Sequence, residues 1–306
     1  MSQKLENLIR VRAFEWMKEQ TLIHGDVLPR SILENGFEIK NYRIPLVSPQ
    51  GIFKPKIFNI PLSITTVPKG PYDDSFGKDG FLRYRYRGTN PDHRDNVGLR
   101  IAMNQQIPLI YFHGIIPGKY LAVWPVYIIA DDPQSLTFKV AVDEITSIDN
   151  YSFKQREKSM FVNDFSDGKR AYLTTTVRRR LHQRSFREKV LHAYREQCAL
   201  CRLKHLELLD AAHIIPDSDP ESLPLIKNGI ALCKLHHAAF DSLIWGINPD
   251  YIIEVRQDIL EEEDGPMLQH GLKGLHKTKI ELPNNRDFWP DSELLEKRFN
   301  QFRIAS

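Results

Sequence analysis

The chain has 306 residues, 42% of them apolar and 26% charged, with a formal net charge of +3. That length accommodates two domains of the usual ~100–200 residues, and the composition excludes a collagen-like or disordered chain. No apolar run approaches the ~20 residues of a bilayer span, and the first twenty residues are charged throughout, unlike a secretory signal. The expectation is a cytoplasmic protein with no membrane partner.

In chain order, Leu5, Leu8, Ile9, Val11, Phe14 and Met17 recur at helical spacing and predict a helix over 4–20. A second short helix is expected over 30–36. From about 42 to 145 short apolar runs alternate with Pro and Gly, including 57–60, 62–67, 81–86, 109–113, 120–130 and 136–142. This texture predicts a β-rich barrel or sandwich. Within it Arg83-Tyr84-Arg85-Tyr86-Arg87 alternates basic and aromatic residues, so a strand would put both tyrosines on one face and the arginines on the other. Residues 146–176 are polar and read as a linker. Val177 to Gln197 reads as a helix, rich in Arg178, Arg179, Arg180, Arg184 and Arg187. Such a run suits contact with a phosphate backbone. Leu294, Leu295, Phe299 and Phe302 predict a C-terminal helix. The expected domains are 1–150, a linker over 151–176, and 177–306.

All three cysteines fall within one stretch. Cys198 and Cys201 form one C-x-x-C knuckle, and Cys233 with His236 forms a C-x-x-H knuckle. Four protein ligands fill a tetrahedral site, which makes a structural zinc centre rather than a catalytic one. A second set, His213, Asn228, His237 and Asp241, is interleaved with the first. His237 and Asp241 are one helical turn apart and share a helix face, where an imidazole and a carboxylate can hold one divalent ion. His213, at the end of a strand, can take a proton from water. Phosphodiester hydrolysis needs both functions.

The stretch from about 186 to 250 resembles the HNH endonucleases. The spacing of His213, Asn228 and His237 matches the three signature positions of that family, whose fold is a β-hairpin and a helix around a metal (ββα-metal). The resemblance implies that His213 is the general base. It implies that Asn228 orients either the loop or the His213 ring, and that His237 and Asp241 ligate a catalytic Mg2+, Mn2+ or similar ion. The residue before the family's base often ligates that ion, but here it is Ala212. Asp210 either supplies the missing oxygen or orients His213.

The segment 71–88, with Tyr72, Asp73 and Asp74 followed by Gly80, Tyr84 and Tyr86, is similar to the SRA (YDG) and PUA-like readers of modified bases. The resemblance implies a β-barrel that flips a base into an aromatic cage. Tyr72, Tyr84, Tyr86, Tyr111 and Trp124 are candidate walls, and Asp73 and Asp74 are candidate readers of the base edge. Strand aromatics also serve as plain core. The whole chain then reads as α+β, an SRA/PUA-like barrel followed by a zinc-stabilised HNH domain. It resembles the modification-dependent restriction endonucleases of bacteria. Its expected partner is double-stranded DNA carrying modified cytosine. A homodimer is one route to a double-strand break, because one active site cuts one strand. Two other readings stay open at this point: a homing or phage-type HNH nuclease acting on unmodified DNA, and a zinc module that binds DNA without cutting it.

Overall fold

The computed structural model describes residues 3–67, 75–77, 79–143, 167–220, 222–263 and 265–305. The chain is α+β and divides into two units, Met1–Leu181 and His182–Ser306. The first opens with helix α1 (Gln3–His24), β1 (Val27–Pro29), α2 (Arg30–Asn35) and a small hairpin of β2 (Phe37–Ile39) and β3 (Tyr42–Ile44). Strands β4 (Ile52–Phe53), β5 (Ser63–Thr66), β6 (Ser75–Phe76) and β7 (Leu82–Arg85) follow. After helix α3 (Arg94–Asn104) come the long strands β8 (Leu109–Ile116), β9 (Lys119–Asp132) and β10 (Thr137–Val142). The sheet order is β4-β5-β8-β9-β10-β7-β6, with β1 added on β9.

This sheet is curled. Strands β5 and β7 lie four steps apart in the pairing order, yet the Tyr84 hydroxyl reaches the Thr65 carbonyl at 3.4 Å. Period-two alternation separates two cores. Tyr84, Tyr86, Tyr111, Val123 and Phe138 pack on the inner face with Leu99 of α3. Ile110, Phe112, Tyr120 and Ala122 pack on the outer face with Ile9, Phe14 and Met17 of α1. The expected split at 83–87 holds: Tyr84 and Tyr86 are buried, whereas Arg83, Arg85 and Arg87 retain exposure. Two details differ from the sequence expectation. Residues 57–60 form turns rather than a strand, and α3 is a helix inside the β-rich region.

Helix α4 (Asp167–Ala193) starts ten residues before the expected Val177 and occupies the end of the stretch read as linker. In the first unit the Thr174 hydroxyl accepts the Val142 amide at 2.9 Å and Leu181 joins the inner core. From His182 onward the same helix belongs to the second unit, where Phe186, Val190 and Leu191 enter its core. That core is built on a hairpin of β11 (Leu209–His213) and β12 (Gly229–Cys233), followed directly by helix α5 (Lys234–Asp241). A second hairpin, β13 (Trp245–Ile247) with β14 (Ile253–Val255), the short helices α6 (Gln257–Glu261) and α7 (Pro266–Gly271), and the terminal helix α8 (Ser292–Ala305) complete the unit. Among the described residues no helix is long and apolar enough to cross a membrane.

Candidate active site and metal centre

The β11–β12 hairpin has a distinct group of side chains at each end. Its register pairs Leu209 with Cys233 at one end and His213 with Gly229 at the other. The cysteine end meets the turn that follows α4, where Arg195 and Glu196 both take positive φ, 59° and 56°, and reverse the chain into Cys198 and Cys201. Cys233 ends β12 and precedes the first turn of α5, so His236 swings back over it. His236 Nδ1 lies 3.4 Å from Cys198 Sγ and 3.2 Å from Cys233 Sγ, and Cys201 and Cys233 are 3.9 Å apart at sulfur. All four ligand atoms fall within 4.8 Å of one another, a closeness no other group of metal-ligand residues reaches among the described residues. A tetrahedron with metal–sulfur bonds of ~2.3 Å has edges of about 3.8 Å, so the donor set fits zinc. His236 Nε2 donates to the Gly271 carbonyl at 2.7 Å. That outer hydrogen bond leaves Nδ1 bare toward the sulfurs. Hydrogen bonds from Cys198 and His236 lower the pKa of the Cys233 thiol, while contact with Cys233 raises that of Cys198 and burial raises that of Cys201, so the three thiols share their ionisation as one cluster.

One residue in from the cysteine end of the hairpin, Asp210 points to α5. Its Oδ2 lies 3.5 Å from His237 Nδ1, while His237 Nε2 lies 3.4 Å from Asp241 Oδ2. His236 and His237, adjacent in sequence, thus serve two different clusters, as expected for neighbours about a third of a turn apart on a helix. Asp210 raises the His237 pKa, and His237 together with Arg187 holds the Asp210 carboxyl below its ordinary value. The two carboxylates lie at opposite ring nitrogens of His237, and the donor types, hard oxygens and a borderline nitrogen, are those suited to Mg2+, Mn2+ or a similar ion.

His213 is half-buried, and burial lowers its pKa. Asn228, 2% exposed, staples the loop that follows it. Its Oδ1 accepts the Ile215 amide at 2.9 Å, and its Nδ2 donates to Ile215 O, Ser222 Oγ and Leu223 O at 3.1–3.2 Å. The Asn228 carbonyl accepts the Ile214 amide. Of the two roles open from sequence, these contacts are those of loop orientation.

Residues 198–248 match the HNH endonuclease family model. The chain carries an HNH endonuclease domain. Two solved structures are similar to the chain. One is titled as the modification-dependent TagI restriction endonuclease, with 15% identity and a TM-score of 0.28, covering 79% of this chain and 82% of that one. The other is the type IV phosphorothioation-dependent restriction endonuclease ScoMcrA, with 15% identity and a TM-score of 0.21, covering 59% of this chain and 54% of that one. No curated protein matches the chain.

The remaining sequence-derived residues are less uniformly placed. Arg187, expected on DNA phosphates, spends its donors inside the HNH domain: on the carbonyls of Leu206 and Leu209 at 3.0 and 2.8 Å, on Glu188, and at 3.6 Å from Asp210. Arg180 lies 3.8 Å from Asp26, and Arg178, Arg179 and Arg184 lie along the same helix. In the first unit, the curled sheet lines a partly open cavity of about 300 Å³. Among the described residues its lining includes Gln50, Gly51, Thr66, Tyr84, Tyr86 and Arg87. Tyr111 adjoins it, its hydroxyl 2.9 Å from Thr66 Oγ1 and 2.9 Å from His113 Nδ1. Trp124 does not join this group, because it shares β9 parity with Tyr120 and Ala122 and packs against the outer core. Tyr72, Asp73 and Asp74 lie outside the described residues. Sequence reasoning missed Gln50 and Thr66 in the cavity, Ser222 beneath Asn228, and Phe186 beside His213. Gln50, Thr66 and Phe186 are distant in sequence from the residues they touch, and Ser222, six residues before Asn228, sits in an irregular loop that no local pattern marks.

Proposed function

We propose that this nuclease is a metal-dependent DNA endonuclease whose first unit, an SRA/PUA-like reader, directs it to DNA carrying modified cytosine. The observation that carries the cutting reaction is the contact of His237 with both Asp210 and Asp241, beside the strand that His213 ends. In this reading His213 is the general base. Burial keeps its imidazole neutral at physiological pH, ready to accept a proton from the attacking water at a ring nitrogen. Asp210, His237 and Asp241 hold a divalent ion, which stabilises charge on the phosphate and on the leaving 3′ oxygen when bound. Asn228 fixes the loop after His213 and so the direction from which the base approaches. The Cys198, Cys201, Cys233 and His236 site holds zinc and clamps the other end of the same hairpin. The exposed arginines of α4 bind the phosphate backbone.

The curled sheet supports the reader role. A flipped base needs π-faces in place of its lost stacking and polar groups for its edge. Tyr84 and Tyr86 supply the first, and Gln50, Thr66 and Arg87 the second. Tyr86 is held rigidly, stacked on Phe138 at 4.6 Å with its hydroxyl bonded to Asp131, which Arg100 also grips at 2.6 Å. The test is cleavage of three matched duplexes containing cytosine, 5-methylcytosine or 5-hydroxymethylcytosine, at one fixed salt concentration because phosphate contacts make affinity salt-dependent. Preferential cutting of a modified duplex is expected. Equal cutting of all three would remove the reader role and leave a nuclease guided by unmodified DNA.

A further inference from the structure

The His213 imidazole stacks on an aromatic ring. The Phe186 ring of α4 lies parallel to the His213 imidazole, with centroids 3.9 Å apart and planes 12° from parallel. Phe186 is 3% exposed, so this is a core side chain with one face turned to the site. It reaches His213 because of Gly229, the residue directly opposite His213 in the hairpin register. A Cβ at 229 would sit 2.8 Å from Phe186 Cζ and 2.5 Å from Val190 Cγ2. The backbone there is ordinary extended strand, φ −132° and ψ 144°, which any residue adopts. The glycine is therefore required for space and not for its conformational freedom.

We propose that Phe186 is a positioning residue for the hydrolytic reaction: its ring is the platform that sets the plane of the His213 imidazole, and Gly229 is the gap that admits it. The inference rests on the reading of His213 as the base. A ring on a β11 side chain has two rotatable bonds, and a base acts only when its nitrogen is aimed at the water. Asn228 fixes the backbone beyond His213, but its contacts reach Ile214, Ile215, Ser222 and Leu223 and not the imidazole. A flat aromatic face at van der Waals distance removes the rotation that the backbone staple leaves. Offset or parallel stacking of this kind carries a specific geometric preference beyond apolar burial. An aliphatic side chain fills the same volume without it.

The experiment uses the full chain as wild type, Phe186→Met, Val190→Ala and His213→Ala. Val190→Ala removes the other contact at Gly229 without touching the imidazole, so it reports packing alone. Zinc content verifies folding. Single-turnover cleavage of a 5-methylcytosine duplex with Mn2+ and the affinity for that duplex are measured for each variant. The proton resonances of the His213 ring are followed in histidine-labelled protein. Phe186→Met is expected to slow cleavage by about tenfold to a hundredfold, the scale of an ångström-sized misplacement, with affinity within about twofold. Val190→Ala should cleave as wild type does. The His213 ring protons should lie upfield in wild type, under the Phe186 ring current, and return toward ordinary values in Phe186→Met. Unshifted His213 resonances in wild type, or equal losses of cleavage in Phe186→Met and Val190→Ala, would overturn the platform. An inactive His213→Ala beside a fully active Phe186→Met would overturn the platform and leave the base in place. An active His213→Ala would overturn the base itself.

Discussion

His213 and Asp210 are three residues apart on one strand and touch different partners, Phe186 and His237. The proposal gives them different work. His213 faces Phe186, and its burial disfavours the imidazolium, so its pKa falls below the ordinary 6.5. A base is active when neutral. The cleavage rate should therefore be level at and above pH 7 and fall only as the pH drops through a value below 6.5. Single-turnover rates between pH 5 and 8 test this, and an acidic limb centred above pH 7 would contradict it. Asp210 instead faces His237. The spacing of His213, Asn228 and His237 was legible in the sequence. The stack on Phe186 had no such signal. It joins residues 27 positions apart in sequence, and only the packing of α4 against the hairpin brings them together.

At the scale of elements, the most legible part was the pair of metal knuckles. C-x-x-C and C-x-x-H fix ligand geometry through two intervening residues, so local spacing carries nearly all of the information. Cys201→Ser should abolish zinc retention and unfold the second unit, because such sites contribute directly to folding. Metal analysis and circular dichroism check this, and wild-type protein without about one tightly held zinc per chain would contradict it. The least legible element was α1. Its apolar spacing predicted a helix, but not that Arg10 would be fully buried beneath it. The Arg10 guanidinium donates to the carbonyls of Pro61 and Pro108 at 2.9 and 3.0 Å and lies 3.5 Å from Glu6 Oε1. Arg10→Met would leave the carbonyls of Ile60, Pro61 and Pro108 without the guanidinium and the buried Glu6 carboxylate with only the Asn59 and Ile60 amides. It should cost the first unit about 3–5 kcal/mol, the usual cost of breaking a buried pair from one side. Urea unfolding measures it, and a loss below about 1 kcal/mol would show that the network is dispensable. Trp124 makes the related point for strands. Its aromatic character suggested a cage wall, but its parity on β9 places it on the outer face. Residue type marks what a side chain can do, and strand parity decides where it does it.

At the scale of the molecule, the chain joins an aromatic-lined cavity in one unit to an HNH domain in the other. Small nuclease cores do not read long sequences, and the proposed reader role would give selection to the first unit and cutting to the second. Each chain carries one HNH site, and a double-strand break takes either two protomers or two successive nicks. In the proposed mechanism cutting runs through His213 and a divalent ion held by Asp210, His237 and Asp241, with zinc confined to structure. The most direct test is nicking of supercoiled plasmid carrying modified cytosine. Wild type, His213→Ala and Asp241→Ala are compared, each with its zinc retained, with and without added Mg2+ or Mn2+. Wild type should nick only with the added ion, and both variants should bind the plasmid yet cut at least about a hundredfold more slowly, since losing a general base costs ~10²–10⁴-fold. Cutting by His213→Ala at the wild-type rate, or ion-independent cutting by the wild type, would contradict the account.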